Sequence, residues 1–102
     1  MKVYITTTSY WNTKLSDSGW RSDINGAYTD LQKAIDRIKA DADLEIEFGK
    51  KTNCPVTSRL DYEDNSTVYI PVATFTIPKY SIKTEKEGEG IIWRAVFEKE
   101  LM

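Results

Sequence analysis

The sequence predicts an α+β fold: one amphipathic helix packed on a mostly antiparallel sheet of about four to six strands. Three observations lead there. The segment Thr29 to Ala40 carries apolar residues at helical spacing. Several other segments are rich in β-branched and aromatic residues or alternate polar with apolar. Their order is strand, helix, strand, then several strands, which suits an antiparallel or mixed sheet with the helix on one face.

Lys2 to Thr8 is the first strand. Val3, Tyr4 and Ile5 are followed by threonines at 6, 7 and 8, and the apolar run suggests a central strand buried on both faces. Ser9 to Ala27 is rich in Ser, Asn, Asp and Gly and reads as a long loop, although a short hairpin inside it would also fit.

Thr29 to about Ala40 is the helix. Thr29 and Gln32 stand at capping-box spacing, Asp30 lies in the first turn, and Arg37 and Lys39 lie in the last. Leu31, Ala34, Ile35 and Ile38 form its apolar stripe. Asp43 to Phe48 alternates strictly, with Asp43, Glu45 and Glu47 set against Leu44, Ile46 and Phe48. That pattern predicts a half-buried strand with an acidic outer face, ended by Gly49.

Lys50 to Ser66 reads as a second long polar segment, with a short strand at Arg59 to Tyr62 and a turn at Asp64-Asn65. Thr67 to Ile77 predicts one long strand, at an edge or bent at Pro71, which has no N–H to give to a ladder. Lys79 to Thr84 and Ile91 to Leu101 read as a hairpin about the charged, glycine-containing reversal Glu85 to Gly90. Tyr80 and Ile82 are expected to pair toward Trp93 and Ala95. The charged end Glu98 to Leu101 would blunt an exposed edge.

A chain of 102 residues, 40% of them hydrophobic and 29% charged, makes one domain, residues 1–102, with one core. The net charge of −2 gives no global attraction to nucleic acid or to an anionic membrane. The single cysteine, Cys54, rules out an internal disulfide. The first ten residues lack the pattern of an export signal, and no window is apolar enough for a membrane helix, so the expected compartment is the cytoplasm.

The sequence contains no histidine. That removes the commonest general base, the Ser-His-Asp and Cys-His arrangements, and the commonest zinc ligand. Gly88 and Gly90 sit in a reversal instead of ahead of a helix, so they do not make a phosphate loop. Asp61, Glu63, Asp64 and Asn65 imitate the start of a calcium loop, but its sixth position lacks glycine and its twelfth is Val72. No catalytic residue, cofactor site or metal site is therefore expected, and the chain is expected not to be an enzyme.

Tyr10, Trp11 and Trp20, interleaved with Lys14 and Arg21, form the most distinctive group. Aromatic residues mixed with cations can hold a partner's side chains or stack bases. The same residues would also serve to pin a loop to the sheet.

Met1-Lys2-Val3-Tyr4-Ile5-Thr6, the stretch Gly26-Ala27-Tyr28-Thr29-Asp30-Leu31 leading to Ala34-Ile35, and the closing Val96-Phe97-Glu98-Lys99-Glu100-Leu101 together resemble small uncharacterised proteins of bacteria and their phages. Those proteins place a strand, a short helix and a final strand in that order. The resemblance implies an accessory protein of a phage or mobile element acting on a host protein, and it brings no site residue with it.

The expected function is thus a non-catalytic module that binds another protein through Tyr10, Trp11, Trp20 and Arg21 and through Asp43, Glu45 and Glu47, with an edge strand as a further docking point. One alternative is a nucleic-acid binder using the 9–27 loop with Lys14, Arg21, Lys50, Lys51 and Arg59. Another is an enzyme built on carboxylates or on a metal they hold.

Overall fold

The computed structural model describes residues 1–12, 20–63, 68–70, 74–76, 78–86 and 90–100. A five-stranded antiparallel sheet carries one long helix on one face, the α+β arrangement the sequence predicts. The strands are β1 (Lys2–Asn12), β2 (Trp20–Tyr28), β3 (Val56–Tyr62), β6 (Tyr80–Lys86) and β7 (Gly90–Glu100), in spatial order β2-β1-β7-β6-β3. Between β3 and β6 in the chain, β4 (Val68–Ile70) and β5 (Thr74–Thr76) form a separate two-stranded sheet. The helix α1 covers Leu31–Lys51.

The central strands follow expectation. β1 lies inside the sheet, and Thr6, Thr7, Thr8 and Ser9 are all buried. Their short β-branched or hydroxyl side chains fit between two covered surfaces. β6 and β7 form the expected hairpin, but Tyr80 stands opposite Val96 and Ile82 opposite Arg94. In an antiparallel pair, opposite residues share a face, so this register divides the apolar residues into two layers. Ile82 and Val96 meet Ala34, Ile38 and Ala42 of α1, with Tyr4, Tyr28, Leu31, Ile35 and Tyr80 packed around them. Trp93, Ala95 and Phe97 form a second cluster on the other face.

Several sequence expectations are corrected. The described residues between Ser9 and Ala27 are strand: β1 runs on to Asn12, and β2 returns antiparallel with Tyr10 opposite Arg21 and Trp11 opposite Trp20. A hairpin satisfies backbone groups that a long loop would leave to water. Within the Thr67–Ile77 segment, β4 and β5 are two short paired strands, and Thr67, Pro71, Val72, Ala73 and Ile77 lie outside the described residues. The charged end of β7 pairs with β1 alone, because the β6 register ends at Tyr80 opposite Val96. Glu98 there is held by Lys79 at 2.8 Å and Lys2 at 2.9 Å, hydrogen bonds that lower its pKa below the usual carboxylate range. The sheet edges are β2 and β3.

The largest correction concerns Asp43 to Phe48, which is the second half of α1 and not a strand. No helix breaker separates Ala40 from Asp43, and the buried positions Ala34, Ile38, Ala42 and Gly49 continue the helical period through the whole element. The N-cap is Asp30, not Thr29: its Oδ1 accepts from the amides of Gln32 at 2.8 Å and Lys33 at 3.4 Å. The cations of the last turn are Lys50 and Lys51. At the C-terminus Asn53 takes a left-handed φ of 58°, and the Cys54 amide donates back to the Gly49 carbonyl at 2.9 Å. With Pro55 following, this is a Schellman-type stop.

The second face of the sheet carries a cost. Thr7 and Ser81 flank Ala95 from the neighbouring strands, and both hydroxyl oxygens are buried without a hydrogen-bond partner among the described residues. An unmade buried hydrogen bond is unfavourable, whereas an apolar replacement of similar shape is not. Thr7→Val and Ser81→Ala are each expected to stabilise the fold by about 1–2 kcal/mol. Urea unfolding should show a higher midpoint at unchanged slope; a lower midpoint would show that the hydroxyls are in fact satisfied.

Candidate interaction surface

Replacing a strand by a helix redistributes the three acidic residues. Successive helical residues lie 100° apart, so Asp43, Glu45 and Glu47 cannot form one face. Asp43 and Glu47 are exposed, whereas the Glu45 side chain is only 7% exposed, turned toward the sheet. Glu45 Oε2 accepts from Arg94 Nη1 at 3.1 Å and from the Thr84 hydroxyl. Arg94 is itself 11% exposed. Oε1 of the same carboxylate is buried without a partner. Glu45 thus belongs to the interior, where its ion pair ties α1 to β6 and β7.

Asp43 is engaged differently. Arg59 of β3 points to the helix side of the sheet and forks between two carboxylates. Its Nε and Nη2 donate to Asp61 at 2.8 and 2.9 Å, and its Nη1 donates to Asp43. These bonds hold the Asp61 carboxyl below its ordinary pKa and raise that of Arg59. Tyr80, whose pKa is raised by burial, also bonds Asp61, and the Lys39 ammonium lies 5.3 Å from the Tyr80 ring centre. The network clamps β3, the helix and β6 together.

A carboxylate with a lowered native pKa stabilises above its unfolded value, and that contribution disappears as pH falls through the native value. Between about pH 5 and about pH 2, wild type should therefore lose more thermal stability than Asp61→Asn. Parallel melting curves for the two proteins across that range would contradict the role given to Asp61.

The aromatic and basic group is also rearranged. Tyr10 and Trp11 are neighbours on one strand and so project from opposite faces of the sheet. Tyr10 is exposed on the helix side and Trp11 is half-buried. The register places Trp11 opposite Trp20 on one face of the β1–β2 hairpin and Tyr10 opposite Arg21 on the other, so the group is divided between the two faces. The cations proposed for nucleic acid do not converge either. Arg59 is bound by carboxylates, Lys50 and Lys51 end α1, and Lys14 lies outside the described residues.

What the helix does expose was not anticipated. Leu44 is 68% exposed and Phe48 62% exposed, one turn apart on the outside of α1. They continue a strip at alternating spacings of four and three residues: Arg37, Asp41, Leu44, Phe48, Lys51. That spacing is the seam of a coiled coil. Arg37 and Asp41 are bridged at 3.3 Å along the strip, while Lys51 has no ion pair among the described residues. The signal lay in the sequence, in Leu44 and Phe48 four residues apart, but it emerges only once the helix is known to extend past Ala40.

Among the described residues, no group of three or more Cys, Asp or Glu residues is placed to hold a metal ion. No described helix is long and apolar enough to cross a membrane. No family model, curated protein or solved structure matches the chain, so the resemblance to small bacterial and phage proteins gains no support from comparison.

Proposed function

We propose that the protein is an interaction module that binds another polypeptide through the outer strip of α1 and works by surface complementarity instead of bond-making. The observation that carries this reading is the exposure of Leu44 and Phe48 on the flank of a helix whose inner face already fills the core. A solvated helix face is ordinarily polar, and paired apolar anchors one turn apart match the way one amphipathic helix receives another. Asp41 and Lys51 bracket the anchors with opposite charges, which favours a partner helix carrying the reverse arrangement.

The reading is tested by capture from the source lysate with wild type and with the double variant Leu44→Ser/Phe48→Ser. Both side chains are exposed, so the variant should fold with an unchanged melting temperature and lose the partner that wild type retains. Retention of the same partner by the variant would refute the assignment to α1.

A further inference from the structure

We infer that the helix received by this strip is α1 of a second copy, laid antiparallel. The inference rests on the reading just given and identifies its partner. The strip is self-complementary in an antiparallel alignment that brings its two apolar residues together. When two α1 helices run antiparallel with Leu44 of one copy opposite Phe48 of the other, Asp41 and Lys51 pair as well, while Arg37 lies past the end of the partner helix. Each apolar contact then occurs twice by symmetry, and Asp41 of each copy faces Lys51 of the other. The result is two apolar layers closed at each end by an opposite-charge pair. Lys51 has no competing ion pair among the described residues, and Asp41 has only its exposed bridge to Arg37. Exposed bridges of that kind contribute little, so Asp41 can turn to Lys51 of the second copy.

A parallel pairing fails on the same residues. It sets Asp41 against Asp41 and Lys51 against Lys51, two like-charge contacts. An alignment centred on Leu44 sets Arg37 against Lys51 and Asp41 against Glu47, again with like charges. The alternation of charge and apolar residue along the strip thus selects the antiparallel orientation and disfavours the Leu44-centred alignment. Two apolar layers remove much less surface from water than the roughly 1,200–2,000 Å² of a standard stable interface, so the dimer is weak, with a Kd of about 10–100 µM.

Sedimentation velocity of the full chain from low to high micromolar concentration tests the inference through charge exchange. Wild type should pass from monomer to dimer. Asp41→Lys alone and Lys51→Asp alone should each remain monomeric, because each creates like-charge pairs. An equimolar mixture of the two should dimerise, because every pair across the antiparallel interface is again opposite in sign. Asp41→Lys/Lys51→Asp in one chain should also dimerise. Monomeric wild type at every concentration, or a mixture no more associated than its components, overturns the inference. If wild type stays monomeric while Leu44→Ser/Phe48→Ser still loses a partner from lysate, self-pairing falls and the interaction strip stands. If that variant loses nothing in either assay, both fall.

Discussion

Glu45→Ala should lower the stability of the fold by about 3–5 kcal/mol, the range found when one member of a buried ion pair is removed. The carboxylate is 7% exposed and faces an Arg94 that is 11% exposed. Truncation leaves the guanidinium charge in the interior without its counter-charge and the Thr84 hydroxyl with only the Ile92 carbonyl at 3.4 Å to accept from it. Arg94→Met should be comparably damaging, since it strands the carboxylate, one of whose oxygens already lacks a partner. Glu45→Leu combined with Arg94→Met removes both charges, and its stability should return to that of wild type or exceed it. Glu47→Ala is the internal control. Its side chain is exposed and only loosely bridged to Lys50 at 3.5 Å, so the change should stay within about 0.5 kcal/mol. Urea midpoints measure all four. Equal effects of Glu45→Ala and Glu47→Ala would mean that Glu45 lies outside the interior.

Gly49→Ala should cost about 2–3 kcal/mol, although alanine is ordinarily the better helix residue by roughly 1 kcal/mol. The reason is the stop that follows the helix. Asn53 in the left-handed region turns the chain back, and the Cys54 amide reaches the Gly49 carbonyl. A Cβ on Gly49 would lie 2.6 Å from the Cys54 carbonyl oxygen, a backbone atom that cannot rotate away. Asn53→Gly should be neutral or slightly stabilising, because glycine adopts the same φ without strain; Asn53→Val should destabilise. Thermal melts of the three variants separate these outcomes. A Gly49→Ala protein as stable as wild type would show that the chain leaves the helix by another route.

Most of the architecture could be read from local patterns, because most of it obeys them. The β-branched run of β1, the β6–β7 hairpin and the apolar stripe from Leu31 to Ile38 each repeat with the period of the element they form. The largest failure has a definite physical cause. Residues 43–48 put an acid, Glu45, on the inner face and two large apolar residues, Leu44 and Phe48, on the outer face. This inverts the helical pattern and mimics the alternation of a strand. A buried acid can be recognised only when its counter-charge is known, and Arg94 lies 49 residues further on. The aromatic group was misjudged for a simpler reason: Tyr10 and Trp11 are adjacent, and once they belong to a strand they cannot act together. The residues that best explain binding are thus Leu44 and Phe48, two exposed apolar side chains one turn apart on one helix.

Site-specific photo-cross-linking in the source cells tests that claim most directly. A benzophenone side chain placed at Phe48 should yield a covalent adduct with a polypeptide, whether a second copy or another protein. The same group at Leu60, which is 61% exposed on β3, or at the exposed Tyr10 should yield none. No adduct from position 48, or equal adducts from 60 and 10, would contradict an interaction surface on α1.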